Sequence, residues 1–335
     1  MYRTCCWRIA VVNASNERGF VLVASIWLTM ILLLLAGLFS SYADTKFGEA
    51  LTAKVRTQER VDAYSTEEIL LYLMATGVPD RRGLSVDADD SEYIRLDGLA
   101  YRGRGQTLFE LNDAGGLVGV NSLNNFHLSS LLGEFESDPL VRDSLLDSLY
   151  DYIDVNESPR LSGGEAAAYR VAGLPPPPND YLRTPEELRR VLRWREWLAR
   201  HPGFDLHWLS PNWRSRLNLN TVPESLFMRV LPLPAADAER LLNARRAQPF
   251  KNFSEVERLL NMRSNLDADF YTFLPLERVR VRIYSRDNRK LQTIDITNTP
   301  LSLTAPWVIE FRYQSERHFN IGKPARSVAA KLFGG

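Results

Sequence analysis

Between Phe20 and Phe39 the chain runs for 20 residues without a charge, interrupted only by Ser25, Thr29, Gly37 and small alanines. At about 1.5 Å rise per residue, a helix of that length spans roughly 30 Å, the thickness of a bilayer's hydrocarbon core. From Ser40 to Thr76 there is no proline and one glycine, Gly48, while Leu51, Val55, Val61, Tyr64, Ile69, Leu73 and Met74 recur at helical spacing. The pattern predicts one long helix, membrane-spanning over 20–39 and amphipathic over 40–77. Gly77-Val78-Pro79 is an ordinary place for it to stop.

Beyond the helix the period changes. The acidic run Asp87–Glu92 reads as a solvated loop, and Ile94, Leu96, Leu99, Tyr101, Leu108 and Phe109 predict short strands between Tyr93 and Leu111. "LNDAGGLVGVNSLNNFHLSSLL" is a Gly-rich turn followed by a helix start. Pro139 to Ile153 predicts a helix with Leu140, Val141, Leu145, Leu149, Tyr152 and Ile153 on one face. Val155 to Pro185 contains Pro175 through Pro178, so no long element crosses it. Glu186 to Ala199 predicts a basic helix with its Leu, Val and Trp turned inward. From Arg216 the order is helix, tight turn, helix, loop, helix.

After Val279, "VRVRIYS", "LQTIDIT" and "WVIEFRYQ" alternate apolar and polar residues and predict strands, with "RDNR" as a turn. Residues 315–335 close the chain, and from Phe319 they read as a poorly held tail.

Composition narrows the function classes. A 45% hydrophobic and 10% aromatic chain of 335 residues suits packed cores. With 41 basic and 41 acidic side chains, net charge gives no overall reason to seek nucleic acid or an anionic membrane. His127, His201, His207 and His318 form no metal-ligand spacing, and there is no Gly-x-Ser-x-Gly and no phosphate loop. Cys5 and Cys6 are the only cysteines. The chain reads as a non-enzyme.

The apolar stretch is preceded by Arg3, Arg8 and Arg18, which hold the short leader in the cytoplasm and send the rest outward. A secretory signal places its small-residue cleavage site after the apolar core. Here the small residue beside the charges, Gly19, lies in front of it. A cut at Gly19/Phe20 leaves the apolar segment on the mature protein, which then has no thiol.

Two further stretches could carry chemistry. Counting from Asp154, oxygen-bearing side chains fall at positions one (Asp154), three (Asn156), five (Ser158), nine (Ser162) and twelve (Glu165), the spacing of a calcium-binding EF-hand loop. The sixth position, which takes glycine for its sharp turn, is Pro159, so an irregular oxygen-rich calcium site is the form this loop would take. The simpler alternative is that Asp154 and Asn156 end one helix and Glu165 starts the next. The second stretch, from Arg216, resembles helix-hairpin-helix modules. Its hairpin Leu231-Pro232-Leu233-Pro234-Ala235 has no glycine and lacks proline N–H groups, so the phosphate cradle of DNA-binding versions is gone and a packing scaffold remains.

The "RGF" start and the long helix resemble the prepilin class, in which a prepilin peptidase cuts after the glycine and methylates the new N-terminal phenylalanine, here Phe20. Most members carry Glu at the fifth mature position, where this chain has Ala24. That carboxylate is thought to pair with the preceding subunit's N-terminal amine, so a subunit with alanine suits the first position, at the tip.

Taken in order, "RGF" with Ala24, "DYIDVNESPR…GGEAAAY" with "PND" and "PEEL", and "RLNLNTVPESLFMRVLP…ARRAQPF" resemble the minor pseudopilin K family of type II secretion systems. "DAGGLVGVN" departs from the family's usual Asp-x-x-Gly-x-Asn-x-Asn pattern. The resemblance implies an α+β fold in which leader 1–19 and the long helix precede a pilin-like α/β head. Residues 78–120 begin that head, a large mostly helical insertion fills 121–273, and strands over 274–314 complete the sheet.

It also implies calcium near Asp154, Asn156 and Glu165, with Asn179 of "PND" as a further donor. It implies an inner-membrane anchor with a periplasmic head, minor pseudopilins I and J as partners, and contact with exported substrate or the outer-membrane secretin. A minor pilin of a type IV pilus shares the same membrane logic. A membrane-anchored DNA receptor with helix-hairpin-helix modules would instead need a basic face and hairpin glycines, which this chain lacks.

Overall fold

The computed structural model describes residues 17–77, 79–86, 92–122, 124–261, 266–285, 290–316 and 330–333. Most of the leader, the acidic loop at 87–91, the RDNR turn and most of the tail lie outside the described residues.

One helix, α1, runs from Glu17 to Thr76 over 60 residues, as the period predicts. Up to Gln58 it forms a unit of its own. Every large apolar side chain from Phe20 to Phe39 is at least half exposed, so this stretch offers apolar surface all round. Its hydroxyls are satisfied within the helix, Ser25 Oγ donating to the Leu22 carbonyl at 2.8 Å and Thr29 Oγ1 to the Ser25 carbonyl at 2.9 Å. Nothing polar therefore has to be carried unpaired into hydrocarbon. By length and composition the segment is able to cross a membrane.

From Glu59 onward the chain is a second compact unit. The last turns of α1 present Leu70, Leu71, Leu73 and Met74 inward, and the Gly77 N–H donates to the Leu73 carbonyl at 2.8 Å where the helix stops. A short antiparallel pair follows, β1 (Leu84–Ser85) and β2 (Tyr93–Ile94). Then come β3 (Asp97–Arg102) and β4 (Thr107–Asp113).

The chain next leaves the sheet for a mostly helical excursion. It contains β5 (Val118–Gly119), α2 (Phe126–Gly133), α3 (Pro139–Ile153), α4 (Ala166–Val171), α5 (Trp194–Arg200), β6 (Leu209–Ser210) and β7 (Leu217–Asn218). Its second part holds α6 (Glu224–Val230), α7 (Ala235–Ala247), α8 (Phe253–Leu259) and β8 (Tyr271–Thr272). It returns as β9 (Arg278–Ser285), β10 (Lys290–Asn298) and β11 (Trp307–Glu316), and a last turn, α9, spans Ala330–Phe333.

The main sheet is antiparallel, in the order β11-β10-β9-β4-β3. Because side chains alternate, Phe109 and Leu111 of β4 fall opposite Ile283 and Val281 of β9 on one face, and Ile294 and Ile296 of β10 continue it. That face packs on Leu70, Leu73 and Met74. The other face carries Glu110, Arg280, Arg282 and Asp295 and meets the excursion. Arg280 Nη1 donates to the Leu209 carbonyl at 2.8 Å, while its Nε and Nη2 hold the Asp295 carboxylate at 2.8 and 3.2 Å. Burial alone would push Asp295 up, but Arg280, helped by Arg278, holds it below the usual carboxylate range.

Three expectations need correction. Glu186 to Ala199 is not one helix: a 3-10 turn at Pro185–Arg190 is followed by Arg193 in the left-handed region (φ 69°), and only then by α5. A continuous helix would spread Leu188, Leu192, Trp194 and Trp197 over more than half its circumference, whereas the break turns all four inward. Leu140 is exposed rather than on the buried face of α3, because it lies in the first turn, where its N–H is held by the Asp138 cap at 2.9 Å. The tail is not wholly loose, since Phe333 is buried with its ring 5.1 Å from that of Phe109.

Candidate functional site

The cleavage and assembly positions expected from the sequence lie on α1. Phe20 and Ala24 are on its exposed apolar stretch, with Gly19 one residue before.

The junction between sheet and excursion centres on Asp113, at the end of β4. It is fully buried and accepts four hydrogen bonds. Gly115 N–H and Leu276 N–H donate to Oδ1 at 2.9 Å each; Asn218 Nδ2 and Thr221 Oγ1 donate to Oδ2 at 2.9 and 2.7 Å. Burial raises the Asp113 pKa, and these donors pull it back down. Asparagines extend the joint. Asn212 donates to the Ala114 carbonyl at 2.7 Å, and Asn220 bridges the Phe250 and Phe273 carbonyls at 2.9 and 3.0 Å. The "NLNT" stretch is thus a buried seam. Around it Leu226, Phe227 and Val230 of α6 and Ala238, Leu241 and Leu242 of α7 are core residues, so the helix-hairpin-helix segment serves as scaffold.

The third region is the loop after α3. Asp151 and Asp147, from the last two turns of that helix, anchor it. The buried Asp151 carboxylate accepts from Gly164 N–H at 2.7 Å and Arg160 N–H at 3.1 Å, and Asp147 accepts from Ser162 N–H at 3.0 Å. A side chain at Gly163 would collide with the Asp151 carboxylate, which explains the glycine there.

Asp154 closes α3 and Glu165 opens α4. Among the described residues, Asp154 Oδ1 and Glu165 Oε1 are both buried without a hydrogen-bond partner. Burial raises the Glu165 pKa, and the carboxylates of Asp151, Asp154 and Glu157 raise it further, while the Arg160 guanidinium lies 3.6 Å from Asp151 and 3.9 Å from Asp154. Asn179, in the left-handed region at φ 51°, also has a buried Oδ1 with no partner. Asn156 differs: it is exposed, and its Oδ1 accepts from Ser158 N–H at 2.8 Å, shaping the turn. Sequence reasoning left out Asp151, although its place one helical turn before Asp154 was a usable signal. Among the described residues, no group of three or more His, Cys, Asp or Glu is arranged to hold a metal, so a cation here would draw on amide and carbonyl oxygens as well.

The frame of the chain is a long apolar helix whose final turns pack on an antiparallel sheet. Residues 107–200 match the profile of the family described as Type II secretion system (T2SS), protein K. A chain in the crystal structure of the GspK-GspI-GspJ complex from the enterotoxigenic Escherichia coli Type 2 Secretion System shares the fold. It superposes with a TM-score of 0.52 at 14% identity, over 80% of this chain and 99% of that one. No curated protein sequence matches. Similarity to type II secretion system protein K thus covers residues 107–200, and the fold is shared with a chain of that complex.

Proposed function

We propose that this chain caps the tip of the periplasmic pseudopilus and helps start its assembly for export of folded proteins across the outer membrane. The observation that carries the reading is Ala24. On the exposed apolar helix it puts a methyl group where a fibre-interior subunit needs a carboxylate to pair with its predecessor's amine. The head, beginning at Glu59, is bulky, and one copy at the end avoids the clashes of repeating it around a fibre.

In this reading a prepilin peptidase cuts Gly19/Phe20 and N-methylates Phe20. The helix holds the chain in the inner membrane with the head in the periplasm, and minor pseudopilins I and J pack beside it. That the similar chain of known structure stands in a complex named for GspK, GspI and GspJ supports those partners. From the tip the head meets exported protein or the outer-membrane secretin. Calcium belongs to the same proposal. Asp154, Glu165 and Asn179 would hold it, with Asn156 shaping the loop, and their unpartnered oxygens support the fit to a hard cation. Its role would be to neutralise the clustered carboxylates and clamp the loop.

Co-isolation tests the central part. The full chain, expressed with minor pseudopilins I and J in membranes, should be recovered with both from detergent. Recovery alone, with an intact head, contradicts the proposal.

A further inference from the structure

A pocket of about 150 Å³ lies where the start of the head meets α7, and five of its lining side chains are Arg81, Arg82, Arg95, Arg245 and Arg246. Arg82 is committed to Asp80 through two hydrogen bonds of 2.9 and 2.8 Å, and Arg246 to Glu224 through two of 3.0 and 2.8 Å. The remaining carboxylate, Asp97, is bonded to Arg95 and lies 3.6 Å from Arg245 Nη2, too far for a hydrogen bond. Among the described contacts, three carboxylates stand against five guanidinium groups.

Arg245 shows the imbalance most directly. Its side chain is 2% exposed. Its Nη1 donates to the Leu219 and Val222 carbonyls at 3.1 and 2.6 Å, yet Nε and Nη2 are buried with no hydrogen-bond partner among the described residues. Unmade bonds on a buried cation are expensive, and two adjacent N–H groups on one guanidinium edge match the oxygens of an oxyanion. Burial lowers the Arg245 pKa to about 10, so it stays charged at neutral pH. The charges acting on it are Asp97 and Glu224 against Arg95 and Arg246.

We infer that this arginine-walled pocket binds a phosphate group, held by the free edge of Arg245 with Arg95 and Arg81 beside it. The volume is well below that of a drug-sized ligand site and suits a single tetrahedral anion. The excess of two guanidinium groups over carboxylates among the described contacts matches a phosphate of about −1.5 to −2 at neutral pH. Free phosphate and the phosphate monoester of a lipid headgroup share this chemistry.

The test uses the full chain in detergent, titrated at constant ionic strength with inorganic phosphate or with short-chain phosphatidic acid while its melting temperature is followed. Phosphate should raise Tm in a saturable way that sodium chloride does not reproduce. Saturable stabilisation by both ligands identifies the lipid headgroup as a competent source; by inorganic phosphate alone, the free ion. Arg245→Met removes the central donor but risks the fold. Arg81→Ser with Arg246→Ser changes only exposed side chains and should weaken phosphate binding about tenfold or more. Stabilisation by neither ligand, an equal rise with chloride, or undiminished binding in the double variant overturns the inference.

Discussion

Asp113 and Asp154 each close a regular element of the same head, and their oxygens meet opposite surroundings. Asp113 ends β4 with four donors from the protein itself, contributed by backbone at 115 and 276 and by side chains at 218 and 221. Asp154 ends α3 with a buried oxygen that nothing in the described chain satisfies, and Glu165 and Asn179 repeat that state. A self-satisfied acid locks a joint and asks for nothing more. Acids left open store a desolvation cost that an external cation is able to relieve. The first arrangement belongs to the fold, and the second is the one the proposed cation would satisfy.

The largest expected effect comes from breaking the closed side. Asp113→Ala leaves four buried donors unpaired and should cost roughly 3–5 kcal/mol, read as a drop in the urea midpoint or as failure of the head to fold. Next is the open side. Removing calcium with a chelator should lower Tm, and restoring it at about a hundred times Kd should return about 2.7 kcal/mol. Glu165→Gln should remove most of that calcium-dependent increment, while the metal-free protein stays as stable as before. If the chelator has no effect, the open oxygens are not a cation site. The smallest effect sharpens the ligand set: Asn156→Ala at an exposed turn should change stability by no more than about 0.5 kcal/mol and leave the calcium increment in place.

How much could be seen in the sequence follows from how local each cause is. The long helix, the helix from Pro139 to Ile153 and the three late strands rest on periodicity and near-neighbour capping, which the chain displays directly. The Asp113 joint stayed hidden because its partners are 105 to 163 residues away along the chain for all but Gly115. The break at Arg193 was hidden too, since only packing of both Trp194 and Trp197 into one core makes a left-handed arginine worthwhile. No local period in the tail singles out Phe333, and its burial against Phe109 is a tertiary event. In the loop, the positions of Asp154 and Glu165 were readable from spacing, whereas the anchoring role of Asp151 depends on the loop folding back over α3.

In the proposed function the head reaches its place by an apolar helix retained after processing. The most direct measurement is intact-mass and N-terminal peptide analysis of the protein isolated from cells with an active prepilin peptidase. The account predicts a chain that starts at N-methylated Phe20. A chain that keeps residues 1–19, or one that has lost the stretch through Phe39, contradicts it.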